Sequence, residues 1–260
     1  MIGVVGARTP VGALVAVSLG ADAALDPEAF DGLDAVIAVT PSVRVVDAAV
    51  AAQVPYVDAS DDPAWVTQVL ERHARAPVPV VPACGFDGLL GDLAAAVAAE
   101  HFGGPVDDLA VHHDRDLDRN ALRGTPLGKP RRVAFPNGTR WVSDVALVEQ
   151  VLVPRHVPGA NVTTTLAVVP GVTSKVLGRR RETFQVVAEA TGLGLRSFVV
   201  CHGRGVETVS ARFLSLAART ATEPGAMAPA EAFHAEPFLD SASGEHLQWS
   251  FEFPETELRS

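Results

Sequence analysis

The side chains that could carry acid–base, nucleophilic or metal chemistry fall in a few short stretches of this chain. They are Tyr56-Val57-Asp58, Cys84-Gly85-Phe86-Asp87, His112-His113-Asp114-Arg115-Asp116 and Cys201-His202-Gly203-Arg204. A carboxylate at a strand end, such as Asp58, suits proton transfer or a hydrogen bond to substrate. Asp87 stands where a helix begins, as a cap or as an acid. Cys84 is a nucleophile only if a base ionises it, and no histidine lies near it in sequence; a buried core thiol is the competing role. Tyr56 is the only tyrosine, and position 60 is Ser60, so no lysine four residues on assists its hydroxyl. His112 and His113 are adjacent on a strand, so their side chains face opposite ways and do not share one metal ion. No metal site is expected. His113 or His202, facing a cleft, could still act as an acid or base near neutral pH.

Elements must bring these residues together, and the first of them opens the chain. Ile2 to Gly6 is an apolar run ending in glycine, and Gly6-Ala7-Arg8-Thr9-Pro10-Val11-Gly12 follows it into a helical pattern. Strand, glycine turn and helix start form the phosphate-holding unit of a dinucleotide fold, in which backbone N–H groups at the helix N-terminus meet a pyrophosphate. Thr9 occupies the middle position of that loop, where a Cβ crowds a bound phosphate. Pro10 removes one backbone donor, and Thr9 followed by proline is also a self-contained helix cap. Arg8 is positioned for a guanidinium–phosphate contact or for plain solvent.

Further apolar runs at Ala35–Val39, Val54–Asp58 and Val78–Pro82 read as strands buried on both faces of a parallel sheet. Helical patterns at Val11–Leu19, Ser42–Ala52 and Pro63–Arg75 separate them, which predicts βαβ units with right-handed crossovers. Between Leu19 and Ala35 there is room only for a short strand, Ala23–Leu25, and one turn near Pro27–Phe30. The second β–α unit is therefore expected to be truncated, with Asp26 either as the ribose-binding acid or as a helix cap. Beyond Asp87 the pattern changes. Leu89–His101 reads as a helix, and Asp108–Asp114, Arg131–Phe135, Thr139–Val145, Asn161–Val169 and Arg196–His202 as strands. Pro136-Asn137-Gly138 marks a hairpin turn. Thr183–Thr191 and Thr208–Ala221 read as helices.

The chain has 260 residues, 48% hydrophobic and 20% charged, with a formal net charge of -10. That composition suits a soluble globular protein and disfavours nucleic acid or an anionic membrane as partner. No apolar run approaches a membrane span, no basic leader precedes the first strand, and two cysteines do not make a disulfide framework; a cytoplasmic location is the expectation.

At Tyr56–Asp62 (YVDASDD) and Ala83–Asp92 (ACGFDGLLGD) the chain resembles the saccharopine-dehydrogenase-like oxidoreductases, which include the trans-acting enoyl reductases. That family shows GATGFTG, YVDLTGE and ACGFDSIPSD in this order, and its PGxxTPA segment is similar to Pro224–Ala230 here. The resemblance implies a Rossmann-like domain, a second α+β domain as substrate platform, a C-terminal segment returning to the first domain, and NAD(P)H-dependent reduction of a polyketide-type or other secondary metabolite.

The expected fold class is therefore α/β: a truncated Rossmann-like parallel sheet over residues 1–100, an α+β domain with an antiparallel sheet over 101–222, and a returning segment over 223–260. Candidate nucleotide contacts are Gly6, Arg8, Thr9, Gly12, Thr40 and Pro41, with NADP as the expected cofactor. Candidate catalytic residues are Tyr56, Asp58, Cys84, Asp87, His113 and His202. The expected substrate is a small or carrier-tethered apolar molecule, with a homodimer as an open alternative to a single chain. A cofactor-independent cyclase, isomerase or lyase on the same scaffold stands beside the reductase, because the altered loop weakens the phosphate site.

Overall fold

The computed structural model describes residues 1–20, 30–114, 128–135, 138–167 and 183–252. The expected short strand at Ala23–Leu25, the turn near Pro27 and Asp26 lie outside them, as do Asp116, Pro136 and Asn137.

The first half alternates strand and helix as the apolar runs require: β1 (Ile2–Val5), α1 (Pro10–Leu19), β2 (Ala35–Ala38), α2 (Val43–Ala51), β3 (Tyr56–Asp58), α3 (Pro63–Arg72), β4 (Pro79–Val81) and α4 (Phe86–Phe102). The second half contains β5 (Asp108–Asp114), β6 (Arg131–Phe135), β7 (Gly138–Asp144), α5 (Glu149–Leu152), β8 (Asn161–Ala167), β9 (Thr183–Gly192), β10 (Leu195–Arg204), α6 (Val206–Thr220), β11 (Gly225–Ala226), α7 (Pro229–Ala232), α8 (Ala235–Ala242) and β12 (Leu247–Glu252). Caps match the sequence signals. Thr9, Ser42 and Asp62 accept N–H groups at the starts of α1, α2 and α3, and proline opens α1 and α3.

Two sheets result. The first has the order β1-β2-β3-β4-β11, and its strand pairs are all parallel. The second has the order β12-β10-β9-β5-β8-β7-β6. It is mixed rather than purely antiparallel, because β5 and β8 pair in parallel. The segment beyond residue 222 serves both sheets: β11 pairs with β4, and β12 pairs with β10.

The parallel sheet separates two apolar layers. Val4, Ile37, Val57 and Val81 share a cluster with Val15 of α1 and with α4 and α6. Val36, Tyr56 and Val80 share the other with α2 and α3. Helix α1 thus lies on the opposite face from α2 and α3, although the strands advance in one direction. The connection from α1 to β2 runs through residues 21–29, outside the described residues, and reaches the opposite layer by Phe30. This change of face between α1 and α2 is what a doubly wound sheet shows at its switch point. Its useful consequence is a crevice at the carboxyl ends of β1 and β2, where the chain departs to opposite faces.

Helix α4 joins the halves. It starts at the end of β4 and packs along β9, β10 and β5 of the second sheet. Its residues are buried almost all round, which is why its sequence shows little amphipathic contrast.

One element differs in type from its sequence reading. Thr183–Thr191 is strand β9, not a helix. Phe184, Val186, Ala188 and Ala190 join the core beneath the helices, while Val187 joins a separate cluster on the other face with Val133, Phe135, Val142 and Val200. Apolar residues on both faces blur the two-residue period.

Candidate functional site

The carboxyl edge of the parallel sheet begins with the Gly6–Gly12 turn. Gly6 has a φ of 86°, which glycine adopts freely and other residues rarely do. A side chain at Gly12 would run into the Gly6 carbonyl and come within 2.8 Å of Ala7 Cα. The first and last glycines therefore keep the roles a dinucleotide loop gives them, a tight turn and close helix–strand packing. Thr9 binds the loop to itself: its hydroxyl donates to the Gly6 carbonyl at 2.8 Å and accepts the Gly12 N–H at 3.0 Å. The Ala13 N–H donates to the Thr9 carbonyl at 2.9 Å. The amides of Ala7, Arg8 and Val11 have no acceptor among the described residues, and the Arg8 side chain is exposed. Across the crevice, Thr40 approaches Gly6 and Pro41 follows it, so these loops meet as the sequence suggested. The donor set is thinner than a complete glycine loop offers. It still fits an anionic phosphate group, which the amides of Ala7, Arg8 and Val11 and the Arg8 guanidinium would hold.

Asp58, at the end of β3, is wholly buried. Its Oδ2 accepts Tyr56 OH at 3.0 Å and Trp65 Nε1 at 2.9 Å. Its Oδ1 accepts the Ser60 N–H at 2.9 Å and the Ala83 N–H at 3.0 Å. Burial raises its pKa, and the hydrogen bonds from Trp65, Ser60, Ala83 and Tyr56 oppose that rise. Burial and the neighbouring Asp58 push the Tyr56 hydroxyl well above its ordinary value. These groups form a latch that ties the ends of β3 and β4 together. No contact surface remains on Asp58 or Tyr56 for a substrate in this arrangement.

Cys84 is also wholly buried, and its thiol donates to the Val81 carbonyl at 3.3 Å. Burial, with Asp58 and Asp92 nearby, holds the thiol well above its usual pKa. A thiolate is the reactive form, so the geometry gives Cys84 the role of a core residue. Asp87 does not cap α4. The N-cap is Gly85, and the half-buried Asp87 sits in the first turn.

His112 and His113 face opposite sides of the second sheet. His112 Nδ1 meets Thr165 Oγ1 at 2.8 Å, and His113 Nε2 meets Glu149 Oε1 at 2.7 Å. The His113–Glu149 pair is sealed beneath α4, where Gly91 leaves room for the carboxylate: a Cβ there would lie 2.8 Å from Glu149 Cγ. Neighbouring Asp92 accepts the Ala230 N–H at 2.8 Å and meets His156 Nε2 at 2.7 Å, fixing the C-terminal segment to α4. His202 lies on the opposite face, exposed, with Nε2 at 3.2 Å from Gln248 Oε1.

The candidates thus divide. Gly6, Arg8, Thr9, Gly12, Thr40 and Pro41 meet at one crevice. Tyr56, Asp58 and Cys84 are buried near the β3 and β4 ends. His113 and His202 belong to the second sheet and lie on its two faces. Glu149 and Trp65 were not singled out from sequence. A lone carboxylate inside the apolar run Val145–Val153 was the signal that Glu149 is buried with a partner.

No family model matches the chain, and no curated protein matches it in sequence. Among solved structures it is similar to the apo histidine-tagged saccharopine dehydrogenase (L-Glu forming) from Saccharomyces cerevisiae, with a TM-score of 0.62 and 13% identity over 96% of this chain and 99% of that one. This likeness shows a shared fold. Two looser likenesses are to a dipicolinate-bound dihydrodipicolinate reductase from Paenisporosarcina sp. TG-14 (TM-score 0.48, 10% identity, 88% of this chain and 97% of that one) and to an oxidoreductase from Sinorhizobium meliloti (TM-score 0.40, 14% identity, 93% and 87%). The α/β architecture, with a Rossmann-like parallel sheet and a second sheet, is that of the yeast dehydrogenase. No helix among the described residues is long and apolar enough to cross a membrane.

Proposed function

We propose that this protein is an oxidoreductase that binds a nicotinamide dinucleotide, NADP or NAD, along the β1–α1 turn. Its substrate would be a small or carrier-tethered, largely apolar molecule with a reducible C=C, C=N or C=O bond. The observation that carries the reading is the crevice between β1 and β2, where Gly6 makes the turn, Gly12 lets α1 approach, and the amides of Ala7, Arg8 and Val11 have no internal acceptor. The shared fold with a dehydrogenase supports it.

The nucleotide, when bound, would supply the hydride. The chain's own residues have other tasks. Ala7, Arg8 and Val11 bind the phosphates, and the Arg8 guanidinium supplies the positive charge that the lost glycine-loop donor no longer provides. Thr40 and Pro41 form the opposing wall. Asp58, held by four donors, keeps the β3 and β4 ends in register rather than moving a proton.

A second reading rests on a separate observation. Thr9 occupies the Gly12 N–H and Pro10 has none, so two donors of the α1 N-terminus are lost to an anion. On that reading the crevice serves a cofactor-independent cyclase, isomerase or lyase.

Titration of the purified protein with NADPH and NADH, followed by calorimetry, separates the two. Saturable binding that weakens in Arg8→Ala and at high salt supports the reductase. Folded protein that binds neither nucleotide at millimolar concentration rules it out.

A further inference from the structure

A second polar site lies on the face of the mixed sheet away from α4. Strand register sets four side chains in one row: Asp114 opposite Gln185, Gln185 opposite His202, and His202 opposite Gln248, across β5, β9, β10 and β12. Residues directly opposite in antiparallel strands share a face, so this row is continuous. Arg140 of β7 reaches it and donates from Nε to Asp114 Oδ2 at 3.0 Å. The row lines a groove of about 830 Å³, with Val200 as apolar wall.

Gln185 is the unusual member. It is only 6% exposed, yet its Oε1 is buried with no hydrogen-bond partner, and its amide nitrogen has none among the described residues. Leaving a buried amide unpaired costs roughly 1–3 kcal/mol, so most such groups are satisfied. The neighbours do not turn to it. His202 is held by Gln248, and Asp114 by Arg140. Gln185 therefore presents a donor and an acceptor side by side to the groove. Exchange of its nitrogen and oxygen would leave the same pair in reverse order.

We propose that this groove binds a ligand through a cis-amide edge, a primary carboxamide or a lactam, paired in two hydrogen bonds with the Gln185 side chain. Only a group with its own adjacent donor and acceptor satisfies both atoms. A carboxylate sets an oxygen against Oε1, and an ammonium sets hydrogens against the Gln185 NH₂. Charge gives no reason to prefer an ion. Asp114 is paired with Arg140 and Arg204 with Glu245, which leaves the exposed Glu252 at the rim. This site does not rest on the nucleotide reading, since it sits on a different sheet.

The test uses the full chain and three probes of one shape: propionamide, propionate and propylamine. Nuclear magnetic resonance follows the Gln185 side-chain NH₂, the His202 ring and the Val200 methyl signals during titration. Propionamide is expected to shift these signals saturably, and the two charged probes to leave them in place at equal concentration. Gln185→Leu is expected to weaken propionamide about tenfold. Gln185→Glu, which keeps the shape but offers acceptors only, is expected to turn the preference to propylamine, and it serves as the test if Gln185→Leu fails to fold. The site is refuted by equal shifts from the charged probes, by undiminished binding in Gln185→Leu, by an unchanged preference in Gln185→Glu, or by silence toward propionamide at concentrations on the order of 0.1 M.

Discussion

Asp58 and Ala83 are joined across the ends of β3 and β4: the Ala83 N–H donates to Asp58 Oδ1 at 3.0 Å, and Ala83 there holds a φ of 59°. A left-handed conformation at a residue with a Cβ costs of order 1–3 kcal/mol and persists where surrounding contacts fix it. The carboxylate is the contact that fixes this one. Asp58→Ala would strand four donors in a buried space and release Ala83. The expected loss is about 3–5 kcal/mol in urea unfolding. A loss under about 1 kcal/mol would show that the latch does not hold the edge.

The same residue gives a pH signature. The folded Asp58 carboxyl titrates above its ordinary value of 3.8, mainly because it is buried. The native state therefore holds this proton more tightly than the unfolded chain does. The resulting stabilisation is complete below about 3.8 and fades as the pH rises through the folded value. Unfolding measured from pH 3 upward should show wild type losing stability relative to Asp58→Asn across that interval. A difference that grows with pH would contradict the direction.

Both thiols should be inert in the native protein. Cys84 lies well above its usual pKa and Cys201 is pushed up to about 12, each by burial. A thiol-specific reagent at pH 8 is expected to label neither until denaturant is added, and Cys84→Ala should keep any activity. Rapid native labelling of Cys84 would reopen its role as a nucleophile. The linkage has the same sign as for Asp58. These thiols add stability below pH 9, and it is lost as the pH rises toward the folded values.

Gly91 and Glu149 fit only as they stand. Gly91→Ala would force the carboxylate away from α4 and break its contact with His113. The expected cost is about 1–3 kcal/mol, with a change in the His113 ring resonances. A fully stable Gly91→Ala protein with unchanged His113 signals would show that the pair has slack.

Thr9→Gly should separate stability from nucleotide affinity. Glycine replaces a threonine N-cap at a cost of a few tenths of a kcal/mol, while the Gly12 N–H is freed. Calorimetry should then show NADPH binding about tenfold tighter, since hydrogen bonds to charged groups contribute about 1.5–3 kcal/mol. No gain in affinity would mean that Thr9 is not what limits the phosphate site.

Much of this fold was legible because buried parallel strands announce themselves as short apolar runs. Ile2–Val5, Ala35–Ala38 and Pro79–Val81 were read within a residue or two, and Thr9-Pro10 and Asp62-Pro63 fixed two helix starts. The misread element, β9, carries apolar side chains on both faces, so spacing alone suited a helix equally well. The site was less legible for a different reason. Tyr56, Asp58 and Cys84 attracted attention by residue type, but whether a carboxylate faces a cleft or four internal donors depends on contacts such as Trp65 and Ala83. Gln185 left no signal at all, since an unpaired amide shows only once its strand neighbours are in register.

The short strand β11 and the strand β12, a few turns apart near the end of the chain, close the exposed borders of two different sheets. Until residues 225–252 have left the ribosome, β4 and β10 each present an open ladder of unpaired amides and carbonyls. Neither sheet is complete until that one segment has docked on both borders. A protein stitched in this way folds as one cooperative body, and its tendency to aggregate is greatest while that segment is undocked.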